Sequence, residues 1–179
     1  MNYTKINPED KNHLELLVEI GLVWVPNFLT HAEVDAVRKR IPPTPVLKKA
    51  SRNSARRYGT QFPYEGSIIR GPIPEYLEDL NRKIVEAGLS KQTYQSISIN
   101  EYLPGNCIGP HIDNSKSGET ISIISLLGSA QMRLELEAIG YELTLESGSL
   151  IQMQEEVRWK WKHSILPVKE KRYSIVFRC

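Results

Sequence analysis

The sequence predicts an α+β fold in one domain, residues 1–179, with helices in its first half and antiparallel strands in its second. Two helical patterns with start and stop residues precede residue 90. Beyond residue 90, short segments with a period of two are separated by turn residues. Many short strands predict a sandwich or barrel, and helices that precede them are expected to pack on one sheet. A length of 179 residues is that of one domain.

The N-terminal part of the chain predicts a strand followed by a helix. A short helical pattern leads into the apolar run 22–25, which is predicted as a strand. Thr30 and Glu33 have the spacing of a capping box, in which each residue satisfies a free backbone amide of the other. We therefore expect a helix over 31–41, ended by the prolines that begin at Pro42.

The middle of the chain predicts a long loop and then a second helix. Residues 42–57 begin with prolines and end with a basic run, which is typical of a loop. Pro74 favours the first turn of a helix, and Gly88 favours its end.

The C-terminal half is predicted to be almost entirely strand. The β-rich segments are residues 95–103, 120–128, 130–138, 141–148, 149–154, 160–166 and 172–179. The alternation around residues 158–163 predicts Trp159, Trp161 and His163 on one strand face, with the tryptophans in the core, and cations on the other face.

Composition excludes several classes of protein. There are 23 Lys and Arg against 21 Asp and Glu, so a net charge of +2 indicates neither nucleic acid nor membrane as a partner by itself. Two cysteines cannot form a disulfide framework and suit a reducing compartment. Charged residues interrupt the first twenty positions, and no apolar run is long enough to cross a membrane. We expect a monomer in the cytoplasm or nucleus, without a membrane partner.

A possible metal site is predicted by the segment PHIDNS and by a later histidine. His111 and Asp113 are two residues apart, so they share a face if they lie on a strand. His163 supplies a second imidazole from a distant segment. Two histidines and one carboxylate form the facial triad of non-haem Fe(II) oxygenases, although a short H-x-D pattern also arises by chance.

The last predicted strand carries a second unusual feature. Arg172 and Arg178 are six positions apart, an even spacing, so both lie on the same strand face as Ser174. Arginines on an otherwise apolar strand are costly unless an anion neutralises them, and a guanidinium pairs well with a carboxylate. The alternative is a strand whose arginines face solvent.

Together these motifs identify a family resemblance. The chain resembles the AlkB-type Fe(II)/2-oxoglutarate-dependent dioxygenases from VPNFLT to its C-terminus. The specific parts are INEYLPGNCIGPHID, ISLLGS, the R-x-x-W-x-H of Arg158, Trp161 and His163, and RYSIVFR. The resemblance implies a double-stranded β-helix (jelly-roll) core with Fe(II), 2-oxoglutarate and O₂ at its open end.

The resemblance also implies roles for individual residues. His111, Asp113 and His163 are expected to bind iron. Arg172 is expected to bind the distal carboxylate of 2-oxoglutarate, and Arg178 to lie near its metal-bound end as a catalytic residue. The predicted co-substrate site is completed by polar residues of neighbouring strands, Asn100, Tyr102 and Ser174.

Residues 42–70 are the candidate nucleotide-recognition lid. Residues 48–57 contain five cations and no acid, and aromatic residues follow them. Basic residues bind phosphates and aromatic rings stack on bases, whereas a solvated loop beside core aromatics is the alternative. The predicted substrate-binding residues are Arg56, Arg57, Tyr58, Phe62 and Tyr64.

The predicted activity is oxidative demethylation or hydroxylation of a modified base in RNA, tRNA or alkylated DNA, with release of succinate and CO₂. The lid most resembles that of the branch that hydroxylates wobble uridines of tRNA. Asn114 and Ser115 follow the metal motif where base-repair members often carry a second carboxylate. This difference weakens the expectation of repair. The alternatives are a protein hydroxylase on the same core and a catalytically silent nucleic-acid binding module.

Overall fold

The computed structural model describes residues 2–43, 54–61 and 67–178, and all structural statements concern these residues. Four α-helices are present in them: α1 (Lys11–Glu19), α2 (His31–Arg40), α3 (Glu75–Glu86) and α4 (Glu155–Trp159). The strands are β1 (Thr4–Lys5), β2 (Leu22–Val25), β3 (Ser54–Gln61), β4 (Ile69–Arg70), β5 (Ser96–Tyr102), β6 (Ile108–His111), β7 (Ile121–Leu127), β8 (Ala130–Leu136), β9 (Ile139–Leu145), β10 (Leu150–Met153), β11 (Lys162–Ile165) and β12 (Arg172–Arg178).

The strands form two sheets. The smaller sheet has the order β1-β9-β8-β11-β6, and the larger has the order β2-β10-β7-β12-β5-β3-β4. Neighbouring strands are antiparallel, except for the short β1, which pairs in parallel with β9. The last strand, β12, lies between β5 and β7, so its side chains reach the middle of the larger sheet.

One hydrophobic cluster combines side chains of both sheets. It includes Met132 and Leu134 of β8, Leu143 of β9, and Val176 of β12, all at most 3 % exposed. The alternation of β8 and β9 directs these residues to one face, which explains why a period of two is visible in their sequences. The cluster also includes Tyr102 of β5 and Ile165 of β11, two strands that carry predicted site residues.

A second cluster lies between the larger sheet and the helices α2 and α3. Val34 and Val37 of α2 and Leu77 and Ile84 of α3 belong to it, together with Phe177 of β12. The other face of β12 therefore supports the helices, as its alternation predicted. These two clusters confirm the α+β fold with helices packed on one sheet.

The local signals of the first half are confirmed. Thr30 caps α2, because its Oγ1 accepts a hydrogen bond from the amide of Glu33 while Glu33 accepts from the amide of Thr30 at 2.8 Å. Pro74 is the N-cap of α3, and Gly88 follows the helix with a φ of 72°, a conformation that favours glycine.

Two expectations for secondary structure are wrong. Residues 54–57, predicted as loop, belong to β3 because they pair in register with β5, from Ser54 opposite Glu101 to Arg57 opposite Ser98. Residues 155–159 form α4, and the following strand begins only at Lys162. The helical segment reverses the predicted faces at residues 158 and 159, so Arg158 is buried at 2 % exposure and Trp159 is 43 % exposed. Trp161 lies in the core, as predicted.

No helix within the described ranges is long and apolar enough to cross a membrane.

Candidate active site

His111, Asp113 and His163 converge at the edge of the smaller sheet. Their possible ligand atoms all lie within 4.8 Å of one another. His111 ends β6, and His163 lies directly opposite it on the antiparallel strand β11. Asp113 lies beyond the end of β6, so the prediction that it shares a strand face with His111 is wrong. The chain after β6 nevertheless brings its carboxylate close to both imidazole rings.

The backbone contact of His111 determines which of its ring nitrogens could bind a metal. Its Nδ1 lies 2.9 Å from the carbonyl oxygen of Gly109. Because a carbonyl only accepts, Nδ1 carries a proton, and in the neutral ring Nε2 keeps its lone pair. That Nε2 lies 3.6 Å from Oδ1 of Asp113. The Asp113 carboxylate favours the protonated ring and raises the pKa of His111, against the effect of burial.

Asp113 is ionised and His163 is neutral at pH 7. Burial would raise the pKa of Asp113, but its contact with His111 and the charge of Arg178 hold it well below its usual range. Burial lowers the pKa of His163 to about 4, although Asp113 opposes that shift. A carboxylate and a neutral imidazole are the forms that bind a metal ion.

The donor set fits a first-row metal such as Fe(II). Two imidazoles and one carboxylate on one side of a shared point leave the opposite positions open, as in non-haem iron oxygenases. The side chains of Asp113 and His111 are 12 % and 38 % exposed, so the point between them is partly open to solvent. His111, Asp113 and His163 could therefore hold such an ion together.

An inner cavity extends from this triad into the hydrophobic core between the two sheets. Besides the triad, its lining contains polar residues of β5 and β12 and apolar residues of both sheets: Asn100, Tyr102, Arg172, Ser174, Arg178, Ile108, Ile123, Met132, Leu145, Ile165 and Val176. All of the residues predicted to bind 2-oxoglutarate line this cavity. The structure thus brings the metal and co-substrate predictions to one place.

Arg172 is buried in the inner cavity with donors left over. It is 1 % exposed, and Nη2 donates to Oγ of Ser125 at 3.0 Å. Its Nε and Nη1 have no hydrogen-bond partner in the described part of the chain. Burial lowers the pKa of this guanidinium. A buried cation with free donors is costly unless an anion completes it, so this position fits a carboxylate group.

The strand register explains why the polar residues of β5 and β12 meet. Arg172 lies opposite Tyr102, and its guanidinium carbon is 5.0 Å from the centre of the tyrosine ring. Ser174 lies opposite Asn100, whose amide nitrogen is 3.3 Å from the serine oxygen. Neighbours in an antiparallel register share a face, so N-x-Y and R-x-S line the same cavity.

Arg178 links the inner cavity to the metal triad. Its Nη2 is 3.3 Å from Oδ2 of Asp113, and its Nη1 donates to Oγ of Ser98 at 2.9 Å. The guanidinium therefore fixes the second carboxylate oxygen of Asp113, while the first faces His111.

An outer cavity of about 470 Å³ opens on the other side of Asp113. It shares Asn100, Asp113 and Arg178 with the inner cavity. The remaining lining residues come from β3, β4, β5 and the turn after Asp113: Ala55, Arg57, Gln61, Ile69, Ser96, Ser98, Asn114 and Ser117. Its volume is typical of small-molecule or nucleotide pockets.

The residues predicted to bind substrate separate into three groups. Arg57 lines the outer cavity. Arg56 donates to the carbonyl oxygens of Pro42 and Pro43, and Tyr58 packs against the second hydrophobic cluster. Phe62 and Tyr64 lie outside the described residues, as do residues 44–53 of the predicted lid.

Tyr58 contacts the core rather than the cavity. Burial, together with the neighbouring Tyr58, raises the pKa of Tyr76 to about 12. Tyr58 faces the core because side chains alternate along β3: Ala55 and Arg57 face the outer cavity, whereas Arg56 and Tyr58 face away from it.

Several lining residues were not identified from the sequence. Ser96 and Ser98 alternate with Ile97 and Ile99, and this period of two could have indicated that the serines share a face with Asn100. Ser117 reaches the cavity through the turn after Asp113, which has no periodic pattern.

Comparison with known families and structures agrees with this geometry. The sequence model described as the 2OG-Fe(II) oxygenase superfamily matches residues 21–178. The fold is similar to that of an oxidoreductase of the 2OG-Fe(II) oxygenase family from Burkholderia pseudomallei, with a TM-score of 0.69 and 18% sequence identity over 99% of this chain and 94% of that one. This likeness confirms the jelly-roll fold.

Two curated relatives have names that refer to RNA. The tRNA (carboxymethyluridine(34)-5-O)-methyltransferase alkbh8 of Xenopus tropicalis is 27% identical over 161 residues, which cover 83% of this chain and 26% of the relative. The RNA demethylase ALKBH9B of Arabidopsis thaliana is 30% identical over 118 residues, which cover 60% of this chain and 23% of the relative. The chain thus spans about a quarter of the length of these relatives.

Proposed function

The chain belongs to the 2OG-Fe(II) oxygenase superfamily, in its AlkB-type branch, and from this premise we propose that it oxidises a modified base in RNA. Fe(II), 2-oxoglutarate and O₂ are the cofactor and co-substrates of this family. In the proposed reaction, His111, Asp113 and His163 hold the iron between a co-substrate cavity and a substrate cavity.

One observation carries the proposal. The three potential ligands, with atoms within 4.8 Å, stand where the inner and outer cavities share Asp113. A co-substrate in the inner cavity and a substrate in the outer cavity would therefore meet at one metal ion. A binding module needs neither the triad nor a buried arginine with free donors, so this arrangement favours an enzyme over a silent module.

When bound, iron with 2-oxoglutarate and O₂ supplies an oxidant that inserts one oxygen atom into a substrate C–H bond, while the other oxygen leaves in succinate and CO₂ is released. A hydroxymethyl group formed on nitrogen loses formaldehyde, which completes a demethylation. A carbon not attached to nitrogen keeps its hydroxyl group.

The chain's own residues orient the co-substrate. Arg172 lines the inner cavity and would bind the distal carboxylate, because its Nε and Nη1 have no partner among the described residues. Tyr102 and Ser174 line the same region and offer hydroxyl groups. The surrounding apolar residues exclude water from this charge pair, which strengthens it.

Arg178 and Asp113 form the boundary between the cavities. Because both carboxylate oxygens of Asp113 already face a cationic or hydrogen-bonding group, the side chain is held in one orientation before a metal arrives. Such preorganisation reduces the reorganisation needed when the ligands bind.

The outer cavity supports a base as the substrate. Its lining is mostly small and polar, with serine and asparagine side chains that can bind the edge of a base, and Arg57 adds a cation at its rim. The RNA-related names of the two relatives support the same substrate class, and one of them refers to a carboxymethyluridine. In this proposal residues 42–70 act as the lid, and Arg57 contacts the RNA.

The proposal is tested by succinate release from the purified chain with Fe(II), 2-oxoglutarate and air. The panel contains tRNA with modified uridine at position 34, N-methylated RNA, alkylated DNA and prolyl peptides. Mass spectrometry of each substrate then distinguishes an added oxygen from a lost methyl group. We expect substrate-dependent succinate with an RNA, and none with Asp113→Ala.

The result also separates the rivals. Product on peptides alone would replace the proposal with a protein hydroxylase. No product on any substrate, with succinate at the Asp113→Ala level, would refute enzymatic activity.

A further inference from the structure

Arg158 lies behind the metal triad and is fully buried. It belongs to the short helix α4 and is 2 % exposed. Its guanidinium reaches across to the turn that follows Asp113. Nε donates to the carbonyl oxygen of Gly118 at 2.9 Å, and Nη2 donates to that of Asn114 at 2.8 Å. Nη1 donates to the carbonyl oxygen of Asp113 at 3.3 Å.

These three contacts use every nitrogen of one guanidinium on one segment of backbone. Arg158 forms no ion pair within the residues that the structure describes, although a buried cation usually has an acidic partner. Three carbonyl dipoles replace that partner. A planar fork of donors can bind three carbonyls at fixed relative positions, which a lysine cannot reproduce.

The outer face of the guanidinium is covered by an aromatic ring. The Cζ of Arg158 is 4.1 Å from the centre of the Trp159 ring, and Trp159 itself is 43 % exposed. The ring thus separates the guanidinium from solvent, which strengthens its hydrogen bonds to the carbonyls.

The backbone of the segment that Arg158 binds has few other hydrogen bonds among the described residues, although Arg178 contacts the Asp113 side chain. β6 ends at His111, so the sheet's hydrogen bonds do not extend to Asp113. Beyond it, the amides of Lys116 and Ser117 donate within the turn, to the side chain and the carbonyl of Asn114 respectively. The backbone carbonyl of a metal ligand is therefore fixed from outside the turn by Arg158.

We propose that Arg158 is a positioning residue that clamps residues 113–118 and so holds Asp113 in place for metal binding. The inference rests on the proposed function in so far as Asp113 binds the metal. Arg158 itself lines neither the inner nor the outer cavity, because its guanidinium contacts the backbone of the turn. Its effect extends to Asn114 and Ser117, which the same turn brings to the outer cavity.

The test compares Arg158→Gln and Arg158→Lys with the parent chain, using Mn(II) alone as the probe in calorimetry. Loss of a group that orients a ligand typically weakens metal binding ten- to a hundredfold. We expect at least about a tenfold higher Kd for Mn(II) in Arg158→Gln, and Arg158→Lys should not restore it, because one ammonium cannot bind three carbonyls.

Arg133→Gln is the matched control. Arg133 is a less buried arginine whose Nε pairs with Glu142 at 2.8 Å on the neighbouring strand. We expect its Kd for Mn(II) to equal that of the parent chain. A folded Arg158→Gln variant with parental affinity would overturn the proposal.

Hydrogen exchange on the parent chain tests the clamp on residues 113–118 if the Arg158 variants do not fold. In the parent chain without metal, the amides of Lys116 and Ser117 should already be protected, because the clamp is formed before the ion binds. Fast exchange at both amides until Mn(II) is added would overturn the clamp. A parent chain that binds no Mn(II) at all would instead refute the proposed metal site, while the exchange data still decide the clamp.

Discussion

His163 lies directly opposite His111 on neighbouring antiparallel strands, and the centres of their imidazole rings are 4.3 Å apart. The register changes immediately after this pair, between His163 and Ile165. Irregularities of this kind redirect side chains at the edge of a sheet. The pair explains how histidines distant in sequence present nitrogen atoms to one point, which Asp113 then completes.

Replacing His111 with alanine should abolish 2-oxoglutarate turnover without unfolding the chain. The side chain is 38 % exposed, so its loss removes a ligand but creates no buried cavity. His31→Ala is the matched control, since His31 lies on the exposed side of α2. Succinate release measures turnover, and circular dichroism measures folding. Full turnover in His111→Ala would end the iron-site hypothesis.

The strands and helix signals of this fold are readable from the sequence because they depend on local patterns. The face of β12 that carries Arg172 and Ser174, and the opposite face that carries Phe177, follow directly from a period of two. The capping box at Thr30 is likewise a local arrangement. These features do not depend on which distant segment lies beside them.

The remaining features depend on distant pairing or on breaks in the pattern. The basic segment of β3 resembles a loop in isolation and becomes a strand only because β5 pairs with it. The WKWK alternation around Trp159 predicts a strand, yet the preceding acidic residues begin a helix that buries Arg158. Non-local contacts override local propensity in both cases.

Arg172→Lys should raise the KM for 2-oxoglutarate by about tenfold or more. The arginine is 1 % exposed and has two donors without a partner among the described residues, so a carboxylate can accept a charged hydrogen bond there. A lysine ammonium does not place a donor at the same position, and a lost charged hydrogen bond costs at least about 1.5 kcal/mol, close to a factor of ten. Arg133→Lys on the same scaffold should leave KM unchanged. An unchanged KM in Arg172→Lys would show that the co-substrate does not reach this arginine.

Arg57→Gln should reduce the salt dependence of RNA binding. Arg57 lines the outer cavity and has no ion pair among the residues that the structure describes, so it is available for a phosphate. Each phosphate contact to a single strand contributes about 0.7 to the slope of log K against log salt concentration. We expect a slope lower by about that amount in filter-binding titrations from low to moderate salt.

Its neighbour Arg56 provides the control. Because Arg56 is bound to the carbonyls of Pro42 and Pro43, Arg56→Gln should keep the parental slope. The double variant should then match Arg57→Gln. A parental slope in Arg57→Gln would favour the protein-hydroxylase alternative. Tyr58→Ala should mainly lower stability, because the ring packs against the second hydrophobic cluster.

Glu33→Gln should remove a pH-dependent part of the stability. The hydrogen bond from Lys83 and then those from Thr30 lower the pKa of Glu33 to about 2, from an ordinary value of 4.5. A pKa that is lower in the folded chain means that the stabilisation is complete above pH 4.5 and is lost as the pH falls toward 2. The side chain is 41 % exposed, so solvent limits the effect to about 1 kcal/mol or less.

Glutamine keeps an acceptor for the Thr30 amide and loses only the charge. The difference in unfolding free energy between the parent and Glu33→Gln, from urea titrations, should therefore be constant from pH 7 to about 5 and shrink below pH 4.5. A difference that is independent of pH down to about 2 would show that the Lys83–Glu33 pair does not link helices α2 and α3 in solution.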